Sequence, residues 1–582
     1  MPNKIVRNKF KHSMLRCIDK HAISAGVAVF TCLSIQAANL NVDAGSLLRQ
    51  SEQNLKALKQ APNTLAAPTN PSPIAPANQA MVFVKGFNFI GNTLISSDAL
   101  TQPLAAYGNR KLTFAQLKEA VDLVINTYRD AGWTVRAYLP KQEIDEGIVT
   151  IQVVEAVFGK VILPKASPDR VPTETLIRMV DAAQPAGKAM SASGIDRALL
   201  LLDDLPGIQV AGHLVEGQKH GETDLLLSVT EEPLLSGNAS FDNNGSISTG
   251  TERLNLNLSV ASPLRLGDAL TTNFLKTQGS DYSRLAYSAP TGSEGWRTGI
   301  HTTLLNYHLL DKFAISGGYG AAKTTGLDAA YPLLRGQQQN INLALSYDDK
   351  RFDNFISSGP VSTYKLNVYN INLSVNQTDS WQGAGSSNAS VGVSQGSVNL
   401  DGSANQPSDA GGPNTAGRYN KLNLNLSRIQ TLTPSLNAFV GMAFQTANKN
   451  LDSSEKLYLS GVSGVRAYPS GEGGGSTGHT LTAELRQRLH NEFVLTGFYD
   501  YGHANAFKNN ARADGTGDNA VVNSHALQGY GATLNWQSQN GIDLKVTWAK
   551  RIGSNPLAQP SGQDTDGTKK INRIWLNASV NF

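Results

Sequence analysis

After Pro233 this chain of 582 residues alternates apolar and polar side chains, segment after segment, to its last residue. Leu254, Leu256, Leu258 and Val260 alternate with Asn255, Asn257 and Ser259. The same holds for Ile371, Leu373 and Val375 against Asn372, Ser374 and Asn376, and for Leu422, Leu424 and Leu426 against Asn423, Asn425 and Ser427. The chain ends on Ile574, Leu576, Ala578, Val580 and Phe582 set between Trp575, Asn577, Ser579 and Asn581. Period two puts one set on each face of a sheet. The polar set is uncharged Asn and Ser more often than Lys and Glu, which suits a water-filled lumen better than a solubilising surface. The 349 residues after Pro233 supply about 16 strands at about 22 residues per strand with its turn. No run of twenty apolar residues occurs outside the extreme N-terminus, so a bundle of membrane helices is excluded. A bilayer otherwise accepts only a closed barrel, because open sheet edges leave backbone groups unpaired. Residues 233–582 are therefore expected to form a transmembrane β-barrel of about 16 antiparallel strands. A soluble β-solenoid or adhesin domain would share the Asn- and Gly-rich composition, but the alternating last strand ending in Phe582 favours the barrel.

Composition fits this division. Only 16% of residues are charged and 54 are Gly, unlike an ordinary soluble enzyme. The formal charge of +4 is concentrated in a leader. Lys4, Arg7, Lys9, Lys11, Arg16 and Lys20 precede an apolar run from Ala22 to Ile35 and the small residues Ala37 and Ala38, the pattern of a signal peptide over residues 1–38. Taking those six bases and Asp19 from 50 basic and 46 acidic residues leaves 44 and 45. The mature chain then has no basic excess for nucleic acid to attract. Both cysteines, Cys17 and Cys32, fall in the leader, so disulfides, thiolate metal sites and cysteine nucleophiles are excluded downstream. Val29-Phe30-Thr31 before Cys32 fits a lipoprotein cleavage site poorly.

Between leader and barrel the pattern changes twice. Residues 41–60 read as a polar helix that Asp43 can cap, with Leu47, Leu48, Leu55 and Leu58 too sparse a stripe to anchor it in a core. Pro62, Pro68, Pro71, Pro73 and Pro76 make residues 61–80 an extended linker. Composition fits equally a detachable helix on a tether and a disordered tail. From Met81 the chain reads as compact α+β. A strand runs through Val82–Val84 and Phe87–Phe89, and a helix carries Phe114, Leu117, Val121, Val124 and Tyr128 until Ala131-Gly132. Strands follow at Trp133–Leu139 and Ile148–Val154. A second unit repeats the logic, with strands at Gly159–Leu163, Gly207–Val215 and Thr223–Thr230 around helices at Thr175–Ala182 and Ile195–Leu202. Two such units in tandem read as a repeat.

No catalytic constellation stands out. Neither unit holds a phosphate loop, an HExxH or a GxSxG, and His213, His220, His301, His308, His479, His490, His503 and His525 lack metal-ligand spacing. His301 and His308 could share a sheet face only on an unbroken strand. The glycine run Gly471–Gly478 lacks a phosphate-loop lysine and reads as a flexible loop. Two segments are more specific. Val465-Arg466-Ala467-Tyr468-Pro469 lies between strands near Tyr458–Leu459 and Thr480–Arg488, and Phe498-Tyr499-Asp500-Tyr501-Gly502 ends the next strand. Inside a barrel, Arg466 and Asp500 would satisfy each other through a short bidentate bond.

These segments carry a resemblance. Val465–Tyr468 resembles the VRGY/F loop motif, and Phe498–Gly502 the F-x-D-x-G strand motif, of two-partner secretion transporters. Those are outer-membrane barrels of the haemolysin and filamentous-haemagglutinin secretion type, relatives of the barrel-assembly insertases. Ala467 departs from the usual glycine, so a loop tip needing positive φ would have to bend differently here. The resemblance implies a plug helix at 39–60, a linker at 61–80, and polypeptide-transport-associated (POTRA) domains at 81–155 and 156–232. Phe89-Ile90-Gly91-Asn92-Thr93-Leu94 resembles the opening of the first such domain, and Leu139–Gln142 with Val153-Val154-Glu155 its last two strands. It further implies a Gram-negative outer-membrane protein with periplasmic POTRA domains that bind a large secreted exoprotein, an adhesin, haemolysin or contact-dependent toxin. Outer-membrane lipids and the barrel-assembly machinery are the other implied partners, with Phe582 as the C-terminal assembly signal. No catalytic residue, cofactor, metal or nucleic acid is implied. An insertase or assembly factor is the alternative, although that class usually lacks the plug helix and proline linker. A passive diffusion porin is less favoured, because it has no use for the docking domains at 81–232, and a barrel enzyme such as a lipase or protease ranks third, because the catalytic constellation is missing.

Overall fold

The computed structural model describes residues 42–59, 81–144, 146–164, 170–219, 221–512 and 522–582. The expected leader and proline linker lie outside the described residues. Helix α1 (Ala44–Lys59) comes first. The first α+β unit holds strands β1 (Met81–Val84), β2 (Gly86–Ile90), β3 (Arg110–Thr113), β4 (Val135–Tyr138) and β5 (Ile148–Glu155), with helices α2 (Ser97–Thr101) and α3 (Phe114–Asp130). Helix α3 starts at a capping box, in which the Thr113 side chain accepts from the Gln116 N–H while Gln116 returns the bond to the Thr113 N–H. On its apolar face Ala120, Val121, Val124 and Tyr128 pack on Phe89, Ile151 and Val153, and Leu117 packs on Val84, Leu112 and Val149. The expected single first strand is instead two. Lys85 separates β1, which pairs only with β3, from β2, which runs parallel to β5 in the order β2-β5-β4. The cause is long-range, because the Lys85 N–H leaves the strand path to donate to the Gly147 carbonyl (2.7 Å).

The second unit has β6 (Val157–Ile162), α4 (Thr173–Ala183), α5 (Ala192–Asp203), β7 (Ile208–Glu216) and β8 (Glu222–Glu231), its sheet ordered β6-β8-β7. Phe158, Leu176, Val180, Leu202, Leu225 and Leu227 form its core. Only Ala156 separates β5 from β6. Backbone bonds from Thr134 to Met190 (3.1 Å) and from Ala192 to Gly132 (3.0 Å) tie the units together.

Sixteen strands then close a barrel. They are β9 (Leu235–Asp242), β10 (Arg253–Ala261), β11 (Ala269–Lys276), β12 (Ser280–Thr291), β13 (Trp296–His308) and β14 (Tyr319–Arg335). Next come β15 (Gln339–Ile356), β16 (Gly359–Asp379), β17 (Gly385–Asn399), β18 (Gly417–Thr433) and β19 (Leu436–Ala447). A long loop carrying the short pair β20 (Leu457–Tyr458) and β21 (Gly474–Gly475) intervenes. The wall resumes with β22 (Thr477–His490), β23 (Phe493–Asn505), β24 (Ser524–Gln537), β25 (Ile542–Arg551) and β26 (Asn572–Asn581). Strand β26 pairs back onto β9, and Phe582 finishes the seam by exchanging both main-chain bonds with Gly237 (2.8 and 3.0 Å).

The period-two pattern is what the barrel uses. Leu254, Ile371, Leu422 and Ile574 are exposed on the outer wall, while Asn255, Lys421 and Trp575 are buried on the lumen side. Strand β13 runs unbroken, yet seven is an odd spacing, so His301 faces the lumen and His308 the outside. The second α+β unit docks on the barrel base. There Arg335 clasps Asp204 through two 2.8 Å bonds, and Ser262 donates to the Arg170 carbonyl (3.0 Å).

Candidate functional site

The loop between β19 and β22, residues 448–476, turns into the lumen rather than away from the barrel. Leu459, Val465 and Tyr468 are fully buried in it and pack with Phe498, Leu527 and Ala549 of the wall. The expected flexible loop at Gly471–Gly478 is not free either. Its Gly474-Gly475 forms β21, and Glu472 is fully buried, accepting bonds from Asn555 (2.6 Å) and the Thr565 hydroxyl (2.5 Å) of the β25–β26 loop. Glycine content suggested freedom; distant hydrogen-bond partners remove it.

At the centre sits Arg466. Its Nε and Nη2 donate to the two oxygens of Asp500 (2.8 and 2.7 Å), and its main-chain N–H donates to the same carboxylate (3.1 Å). Asp500, 1% exposed, also accepts from the Thr482 hydroxyl (3.1 Å). Glu484 lies 2.8 Å from Nη1, and the guanidinium stacks 3.4 Å over the Phe498 ring. Trp575 donates its indole N–H to the Arg466 carbonyl (2.8 Å). A buried charge is tolerable only when so fully paired and bonded.

The strand register explains the convergence. Thr482 lies opposite Asp500 and Glu484 opposite Phe498 across β22 and β23. Phe498, Asp500 and Gly502 share the inward face, two residues apart. Val465 packs against Gly502, and the Arg551 guanidinium lies 4.4 Å from the centre of the Tyr468 ring. Ala467 does not take a positive φ. Its Cβ faces Gly529, where an added Cβ would come within 2.4 Å of it, so the wall supplies the room that a glycine in the loop would otherwise leave. The structure thus unites Val465, Arg466, Ala467 and Tyr468 with Phe498, Asp500 and Gly502, and leaves Phe582 apart at the seam.

Helix α1 occupies the same lumen. Asp43 caps it by accepting from the Ser46 N–H (2.7 Å), and Ser453 of the inward loop donates to both Asp43 oxygens (2.9 Å each). The Ala44 N–H donates to Asn354 of β15 (2.9 Å), and Arg49 to the Lys456 carbonyl (3.1 Å). Gly45 permits this approach, since a Cβ there would lie 2.6 Å from Ser453 Oγ. Leu47 and Leu48 are buried, and the polar bonds at the first turn add to their hold on the helix.

A second ionic anchor was not apparent in the sequence. Glu455, 3% exposed, sits between Lys350 of β15 (3.0 Å) and Lys421 of β18, so one loop carboxylate joins two walls. Trp575 carried the clearest missed signal, as a large ring among the small polar residues of the lumen set. Glu484 carried a weaker one, as a charge in phase with Thr482 on a lumen face. Among the described residues no group of three or more His, Cys, Asp or Glu could hold a metal.

Comparison with known proteins adds to this geometry. The family model for the haemolysin secretion/activation protein ShlB/FhaC/HecB matches residues 221–527, and that for the ShlB-type POTRA domain matches residues 82–156. The Heme/hemopexin transporter protein HuxB of Haemophilus influenzae is 26% identical over 531 residues, 88% of this chain and 92% of that protein. The solved structure of CdiB from Escherichia coli superposes with a TM-score of 0.69 at 19% identity, covering 93% of this chain and 99% of that one. CdiB from Acinetobacter baumannii superposes with a TM-score of 0.63 at 16% identity, covering 93% and 100%.

Proposed function

Because the chain belongs to the haemolysin secretion/activation family ShlB/FhaC/HecB, we propose that it carries one large, unfolded partner protein from the periplasm to the cell surface. It is an outer-membrane transporter, and its POTRA region faces the periplasm. In this reading residues 1–38 are the leader, 39–60 the plug, 61–80 its tether, 81–155 and 156–232 two POTRA domains, and 233–582 the pore. Phe582, at the seam, serves as the signal read by the barrel-assembly machinery.

The observation that carries the proposal is a pore filled by removable parts. Helix α1 and the inward loop occupy the lumen through side-chain bonds and one small apolar cluster, and neither takes part in the wall's backbone ladder, so both can leave without unfolding the wall. Below them β7 is an unpaired edge of the second unit, nine residues long, beginning beside the barrel base. An extended chain can add there through main-chain bonds, which accept many side chains. The lumen side chains, Asn, Ser and Thr among them, offer weak contacts that do not hold a passing segment. Arg466 released from Asp500 moves with its loop; no catalytic chemistry and no nucleotide is required, and folding of the cargo outside supplies the direction.

The test is secretion of any large repetitive exoprotein whose gene adjoins this one, with and without this chain. Loss of surface export in its absence supports the reading, and equal export sinks it. Pro substituted at the exposed Leu214 on β7, which removes a main-chain donor from the edge strand, should cut export while the barrel stays inserted.

A further inference from the structure

The outer wall on β14, β15 and β16 carries a layered pattern that transport of a protein does not use. These strands have 17, 18 and 21 residues. About ten suffice to cross a bilayer, so all three rise well past the membrane on the side away from the α+β units. On their outward face the register reads in rows. Leu327, Tyr347 and Tyr369 lie directly opposite one another, and the two tyrosine rings sit 4.8 Å apart. The apolar belt continues below them through Leu345, Leu343 and Ile371, so this row marks its upper border.

Four residues farther out on every strand come Lys323, Arg351 and Lys365, again directly opposite one another and all exposed. Four residues is about 13 Å along a strand, or about 10 Å of height at the tilt usual for such barrels. That is the depth of the headgroups. Like charges directly opposite across a sheet are destabilising. Arg351 has a partner in Asp349 (3.2 Å), but among the described residues Lys323 and Lys365 have no ion pair. Asp349 and Asp353 share the face, leaving three cations against two carboxylates. Recognition must therefore come from a directed anion on the row rather than from bulk charge. Another four residues out, Tyr319 and Phe355 stack at 5.2 Å with Tyr319 half exposed.

We propose that this face binds a phosphorylated glycolipid of the outer leaflet, the lipid A class. Its phosphate lies across Lys323, Arg351 and Lys365, its acyl chains lie along Leu327, Tyr347 and Tyr369, and a sugar ring lies against the Tyr319–Phe355 pair. Phosphate takes charge-assisted bonds from Lys and Arg, and the three layers match the order of such a lipid from chain to sugar. A phospholipid fills the lower two layers only. The inference rests on the outer-membrane placement and not on export of a partner, so the two can fail separately.

The test uses the full-length protein in detergent, checked for a folded barrel by its heat-dependent gel mobility. Native mass spectrometry would compare diphosphoryl lipid A, dephosphorylated lipid A, phosphatidylglycerol and inorganic phosphate on wild type, on the triple variant K323Q/R351Q/K365Q and on Tyr319→Ala. Wild type should take up diphosphoryl lipid A on the order of tenfold more than the triple variant and more than it takes up the other three probes. Tyr319→Ala should fall between. Equal lipid A occupancy in wild type and triple variant overturns the site. Equal loss of lipid A and phosphatidylglycerol reduces it to a nonspecific charged rim and also overturns it, as does saturation by inorganic phosphate alone.

Discussion

Exchanging Asp500 for Asn keeps the shape of the side chain and removes its charge. The carboxylate accepts three bonds from Arg466, at 3.1, 2.8 and 2.7 Å, and one from Thr482 at 3.1 Å. An Asn can serve two of these acceptor positions at most, and its amide hydrogens face the donors of the guanidinium. Breaking one side of a buried ion pair costs about 3–5 kcal/mol. Glu484 at 2.8 Å and the Phe498 ring at 3.4 Å stay with Arg466, which places the cost at the lower end, about 3 kcal/mol. Borne by the docked loop alone, that is roughly a hundredfold shift toward the undocked state. Single-channel recording in planar bilayers reads this shift as the ratio of closed to open time, with folded mobility on gels confirming an intact barrel. Glu484→Gln should act more weakly, because Glu484 makes one contact with Arg466 and shares itself with Arg486 at 2.7 Å. A D500N protein that gates within about twofold of wild type, or an E484Q effect as large as that of D500N, would refute the lock.

Three further outcomes are expected. Gly45→Val places carbon where Ser453 Oγ lies 2.6 Å from even a single Cβ, so α1 should leave the lumen and baseline conductance should rise without loss of the folded band. Glu455→Gln leaves Lys350 and Lys421 buried without their shared counter-charge; the folded band should melt at lower temperature, by about 3–5 kcal/mol of stability, and the second change Lys421→Met should restore part of it. In the first POTRA domain, burial tends to raise the Glu155 pKa, but bonds from the Thr93 hydroxyl, the Thr93 and Leu94 N–H groups and the Tyr128 hydroxyl lower it on balance. A depressed folded pKa means stability present above the ordinary value near 4.5 and lost as pH falls through the lower folded value. The protection of the Thr93 and Leu94 amides from hydrogen exchange, referred to the intrinsic rate at each pH, should therefore fall below about pH 4.5 in wild type and stay level there in Glu155→Gln.

What could be read from the sequence is what a local rule enforces. Each barrel strand faces lipid on one side and water on the other, so Ile371-Asn372-Leu373-Ser374 states its own geometry, and the number of residues sets the number of strands. Helix α3 is legible for a similar reason, with Thr113 and Gln116 capping it and Leu117, Val121 and Val124 on one face. The break at Lys85 was not legible, because nothing between Phe83 and Phe87 announces that the Lys85 N–H will pair with Gly147, 62 residues on. Gly471–Gly478 failed the same way, its rigidity residing in Asn555 and Thr565.

The site divides along the same line, and the division says something about how such a pore works. Arg466 and Asp500 were recognisable because their motifs are short. Trp575 and Glu484 were not, since each matters only once a loop up to 109 residues away has turned inward. The inward loop is held by Asp500 and Glu484, by Glu455 between two lysines, and by Glu472 under the β25–β26 loop. All of these are polar contacts between the inward loop and either wall strands or the β25–β26 loop, and none belongs to the wall's own backbone ladder. Water entering the lumen can replace each of them one at a time, at a net cost of about 0.5–3 kcal/mol per bond. Only the small apolar cluster of Leu459, Val465 and Tyr468 against Phe498, Leu527 and Ala549 must wet as a unit. A closed state built from separable polar bonds on a ladder-bonded wall is one that can be opened repeatedly without unfolding the barrel.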